Sequence, residues 1–136
     1  MLILARPHTS LLDGPAVALY LRKVGIRHAV FAVDPDYARH PVWSRLLNAY
    51  GWFAGGHTMR PLDAARPFAL RELRRLLDQG RDVVLFPQGT GIGDPDRPDR
   101  PGVAWLLRTA MPETLQIWVD HKGWFPMVSK GEQHDL

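Results

Sequence analysis

The sequence predicts one α/β domain, a sheet flanked by helices, and three observations predict it. Apolar runs short enough for strands alternate with runs whose apolar residues recur three and four apart, as helices require. Residues 82–86 form, after the first position, a continuous β-branched and aromatic apolar run, which suits a parallel strand covered on both faces. The strands at 2–5 and 82–86 each end in a polar turn carrying a proline, and in such sheets ligands bind at the carboxyl ends of strands.

Residues 2–5 form the first predicted strand, stopped by Pro7. Residues 16–24 suit a helix with Pro15 in its first turn, where a missing N–H and a fixed φ cost nothing. Asp13 then falls at or just before the helix start. Gly25 ends the helix, and 28–33 reads as a second strand, closed by Asp34-Pro35-Asp36. From Pro41 a helix places Trp43, Leu46, Leu47 and Tyr50 on one face. Core packing is the first reading of that stripe; the second is an interfacial face, with Arg39 and Arg45 near anionic lipid.

Residues 55–63 suit an edge strand with Pro61 at its end, and His57 and Arg60 are its notable polar groups. Pro67 opens a helix through Gln79, with Ala69, Leu73, Leu76 and Leu77 inward and Arg71, Glu72, Arg74, Arg75 and Asp78 outward. Gly80 sits at its C-cap. After the strand at 82–86 come Pro87, Gln88, Gly89 and Thr90, then an exposed loop at 94–101, a helix at 102–110, and a strand at 115–119 ending in Asp120-His121. Residues 122–136 show no period and are expected as a tail, so the domain is set at 1–121.

Composition narrows the function classes. The 136 residues suffice for a single core, and 46% hydrophobic with 23% charged content describes a folded chain. Seventeen basic against fourteen acidic residues give a formal charge of +3, a mild excess that fits anionic lipid or phosphate. The basic residues are interspersed with Asp and Glu and lack an aromatic platform, which argues against nucleic acid. Without cysteine there are no disulfides or thiolate metal sites, and no tight ligand spacing implies a metal. No apolar run approaches the ~18 residues that span a bilayer.

The chemistry concentrates at 8–13. A neutral imidazole takes a proton from a hydroxyl when its lone pair faces the substrate, and a carboxylate on the other ring nitrogen fixes that tautomer. His8 and Asp13 have the residue types for this at a strand-to-helix corner. The same residues also read as a loop histidine and a helix-capping carboxylate. Gly89, Gly91 and Gly93 beyond the later strand suit a turn of positive φ, or one whose free N–H groups point at a phosphate or an oxyanion.

The box His8-Thr9-Ser10-Leu11-Leu12-Asp13 and the box Phe86-Pro87-Gln88-Gly89-Thr90, taken together, resemble the H-x4-D and F-P-E-G-T signatures of the lysophospholipid acyltransferase family. The similarity covers about residues 2–110, and the stretch from Ala29 through Pro61-Leu62-Asp63 and Gln79-Gly80-Arg81 to Phe86 is similar in order and spacing to the branch fused to an acyl-carrier-protein synthetase. The resemblance implies a glycerol-3-phosphate acyltransferase-like α/β sheet, shortened so that it begins almost at the first catalytic strand. It implies that His8 is the general base, oriented by Asp13, that deprotonates a glycerol hydroxyl for attack on an acyl thioester. The thioester would be carried by acyl-carrier protein or coenzyme A, and no other cofactor is implied. Phe86, Pro87, Gln88, Gly89 and Thr90 would bind the acceptor's phosphate, with Arg60, or alternatively Asp63, standing for the second box. The partners implied are a lysophospholipid or glycerol phosphate and the inner face of the cell membrane, met from the cytoplasm.

Departures from the family accompany the match. Gln88 replaces the usual glutamate, Gly91 stands where an arginine often follows the threonine, and no valine-proline box is visible at 115–121. These departures motivate a second reading, a non-catalytic lipid- or partner-binding remnant of the same fold. A third, a small hydrolase using His8 and Asp13 with water, lacks a nucleophile elbow.

Overall fold

A computed structural model describes residues 1–7, 12–33, 41–62, 66–89, 94, 96–121 and 123–130. His8, Arg39, Asp63, Thr90 and Gly91 lie outside the described residues, as do the side chains of Trp43 and Leu47. The chain runs β1 (Leu2–Arg6), α1 (Asp13–Lys23), β2 (Val30–Ala32), α2 (Pro41–Gly55), β3 (Thr58–Arg60), α3 (Pro67–Asp78), β4 (Val83–Leu85), α4 (Pro101–Ala110), β5 (Thr114–Asp120) and β6 (Met127–Lys130). The strands form one mixed sheet in the order β3-β2-β4-β1-β5-β6, parallel except for β6.

Alternation along the strands builds two apolar layers, because successive side chains point to opposite faces. Leu2, Leu4, Val83 and Leu85 meet Leu73 and Leu76 of α3 and Val103 and Leu106 of α4. Ile3, Ala5, Val84, Phe86 and Ile117 meet Val17, Ala18 and Leu21 of α1 and Ala54 of α2 on the other face. Parallel crossovers share one hand, so connections stepping one way across a sheet carry their helices on one face and those stepping back on the other. The step outward from β1 to β2 and β3 carries α1 and α2; the return through β4 to β5 carries α3 and α4.

Local signals set the helix ends. Pro67 and Pro101 occupy first turns, and Gly80, at φ +77, ends α3 with its N–H on the carbonyl of Leu77. β3 is an edge strand with Pro61 just beyond it, as the sequence predicts.

Two expectations need correction. The stretch read as a tail contains β6, which pairs antiparallel with β5 through Val119 and Val128. Only one face of this four-residue edge strand meets the core, so it carries too few apolar positions to register as a period. In α2, Leu46 is exposed and not part of a core stripe, whereas Tyr50 is half-buried against the core and Gly51, Ala54 and Gly55 are buried.

Leu85, fully buried in β4, should cost about 2–5 kcal/mol when replaced by alanine. Phe53→Ser, at an exposed position of α2, should change stability by less than about 0.5 kcal/mol. Urea denaturation of the two variants checks the layer assignment.

Candidate functional site

The two motif-bearing turns leave the sheet side by side. β1 and β4 are adjacent and parallel, with Leu4 opposite Leu85, so Pro7 and Phe86 emerge from the same edge about one strand spacing apart. From there the chain turns to opposite faces, into α1 and toward α4, which makes this the switch point where a crevice opens.

Asp13 is the first residue of α1, and its side chain is fully buried. Leu12 holds the N-cap position and makes no side-chain cap, so Asp13 is not the capping residue of the alternative reading. Its Oδ1 lies 2.6 Å from Nε2 of His121, just past the end of β5. An ionised carboxylate offers only lone pairs, so Nε2 carries the proton and donates. The helix N-terminus adds a favourable field for the negative charge. His121 was legible only as the polar end of a strand; nothing local marks it as the partner of a residue 108 positions away.

The second turn serves both faces. Phe86 and Pro87 are buried, and Phe86 packs in the layer beneath α1. Gln88, also buried, donates from Nε2 to the carbonyl of Arg97 at 2.8 Å. A glutamate there would set an ionised acceptor against a carbonyl, so the glutamine fits this loop in a way the family's usual residue would not. Gly89 has φ +127, and a Cβ on it would lie 3.2 Å from Nε of Arg100. Arg100 is tied to the turn by its own N–H on the carbonyl of Pro87, at 2.7 Å, and its guanidinium therefore sits over the glycine.

Beside this turn lies a cleft of about 490 Å³ lined by Arg6, Pro7, Gln88, Arg97, Asp99 and Trp118. Nη1 of Arg6 donates to both carboxylate oxygens of Asp99 at 2.9 Å, and Trp118 lies opposite Arg6 in the β1–β5 register. The cleft thus combines an aromatic wall with a largely neutralised charge pair.

Arg60 is elsewhere. It ends β3, three strands from β1, and pairs at 3.1 Å with Glu72 of α3. Glu72 is held below the usual carboxylate range, first by its hydrogen bond from Arg75 and further by Arg60. The structure therefore gathers Asp13, Phe86, Pro87, Gln88 and Gly89 at one edge and leaves Arg60 at the far side of the sheet. Among the described residues no cluster of His, Asp and Glu is suited to hold a metal ion, and no helix is long and apolar enough to cross a membrane.

No protein-family model matches the chain, and no solved structure matches it. Fold and site together define an α/β protein in which the ends of β1 and β4 lie side by side next to a cleft.

His57, buried behind Phe31, accepts a hydrogen bond at Nδ1 from the N–H of Ala29 at 3.0 Å, which leaves the ring proton on Nε2. Burial, and secondly the nearby His28, push its pKa below the ordinary histidine value. The unfolded chain takes up that proton near pH 6.5 and the folded chain only at lower pH, so stability falls as pH drops through about 6.5 toward the folded value. His57→Asn keeps an acceptor for Ala29 and removes the titration. Urea midpoints measured from about pH 7 to 5 should fall less steeply in the variant than in the wild type.

Proposed function

We propose that the protein is an acyltransferase of the glycerophospholipid type, moving a fatty acyl group from acyl-carrier protein or coenzyme A to a glycerol hydroxyl of a lysophospholipid or glycerol phosphate. The observation that carries this reading is that the two motif-bearing segments leave the ends of adjacent parallel strands at Pro7 and Phe86, 79 residues apart in sequence. One turn leads into the buried carboxylate of Asp13 and the other holds Gly89. On this reading the sheet is an acyltransferase-like scaffold working from the cytoplasm at the inner face of the cell membrane.

The step follows from the residues. His8, oriented by Asp13, takes the proton of the glycerol hydroxyl, and that oxygen attacks the thioester carbonyl carbon. The C–O bond forms, the C–S bond breaks, and the departing thiolate receives the proton from His8. His121 acts through Asp13, by holding its carboxylate in place. Gly91 leaves the family's arginine position empty, and Arg100 supplies a guanidinium over Gly89 for the acceptor's phosphate.

Gln88 favours one second reading. Its amide is committed to the carbonyl of Arg97, consistent with a binding protein that keeps the fold without turnover.

With labelled acyl thioester and lysophospholipid, His8→Ala should slow transfer by about 10²- to 10⁴-fold with an unchanged denaturation midpoint. Arg100→Gln should raise KM for the phosphate-bearing acceptor about tenfold or more and leave kcat near wild type. Wild-type transfer by His8→Ala would remove the base assignment. Lysophospholipid binding by the wild type without turnover on either thioester would favour the second reading.

A further inference from the structure

The outer face of α2 is apolar and uncovered. Val42, Leu46, Ala49 and Phe53 recur at four-, three- and four-residue steps and so form one stripe, with Arg45 and Trp52 alongside. Val42, Leu46, Trp52 and Phe53 are 61, 55, 68 and 73% exposed. The rings of Trp52 and Phe53 meet edge to face, 5.1 Å apart. The inner face is already committed: Gly51 packs so closely that a Cβ there would lie 3.2 Å from the carbonyl oxygen of His57, and Ala54 is in the core. An apolar helical face of this kind on a folded domain marks an interaction surface.

Charge selects the occupant. α2 contains no Asp or Glu, and the carboxylate of α1, Asp13, is buried. Among the described residues the α1–α2 layer therefore exposes Arg22, Lys23, Arg27 and Arg45 and no carboxylate. The opposite layer is laced with both signs, as in Arg74 with Asp78 and Arg75 with Glu72. A layer that exposes these cations together with an apolar stripe carrying tryptophan and phenylalanine complements anionic headgroups over acyl chains. A second copy meeting this face about a two-fold axis would bring the same cations together, which opposes self-association.

We infer that α2 docks the protein on the surface of a bilayer containing anionic phospholipid, lying in the interface with Trp52 and Phe53 inserted and Arg45 at the headgroups. This docking requires no turnover, so it stands or falls separately from acyl transfer.

Co-sedimentation of the whole chain with vesicles of phosphatidylcholine and phosphatidylglycerol tests it, beside vesicles of phosphatidylcholine alone. The wild type should bind the anionic vesicles, more weakly as salt shortens the screening length below about 10 Å, and bind the neutral ones poorly. Trp52→Ser with Phe53→Ser should lower the partition coefficient about tenfold or more without shifting the denaturation midpoint. Arg45→Glu should weaken binding to anionic vesicles only, and Phe68→Ser, on the exposed side of α3, should leave it unchanged. Undiminished binding by the double variant, or equal binding to both vesicle types, would overturn the inference. A dimer in sedimentation equilibrium that the double variant dissolves would also overturn it, assigning the face to a second copy.

Discussion

A carboxylate taken wholly out of water needs a donor to replace its hydration, and Asp13 is met by the imidazole of His121. That contact joins the start of α1 to the end of β5 across β1, so the corner that carries the first motif cannot move independently of the sheet. The field of the helix N-terminus acts in the same direction, since the first turn of α1 presents its N–H groups toward negative charge. Removing His121 would take a donor from a fully buried carboxylate, which costs more than an exposed ion pair such as Arg74 with Asp78 contributes.

The topology explains why the site is there. β4 follows β3 in the chain, yet it lies between β2 and β1, so the second motif is delivered beside the first only after the chain has built and left the β3 edge. α1 and α4 then pack on opposite faces of the sheet. Arg60, one element away in sequence from β4, ends up remote because β3 is the outermost strand. There it pairs with Glu72 of α3, away from the two motif-bearing segments.

What the sequence made legible was local. Strand runs such as 82–86 announce themselves by continuous apolar character, and Pro67, Pro101 and Gly80 mark helix ends by backbone chemistry that does not depend on the rest of the fold. β6 was invisible because an edge strand with one covered face needs few apolar residues. Leu46 of α2 was placed inward because the helix is apolar nearly all round, and a period alone does not mark the limits of the inward face, on which Tyr50 does lie. Long-range partners escaped for a different reason: neither His121 with Asp13 nor Arg100 with Gly89 leaves any trace in spacing. Gln88 is the instructive case, since comparison of motifs reads it as a lost charge, whereas its amide donates to the carbonyl of Arg97.

Asp13 and His121 hold the β1–α1 corner, and the ring proton of His121 reports on it most directly. In nitrogen-15 labelled protein, the account predicts a downfield Nε2–H resonance protected from exchange with water, shifted upfield in Asp13→Asn, where a neutral amide oxygen replaces the carboxylate. A His121 ring proton that exchanges freely in the wild type and is unmoved by that substitution would contradict it.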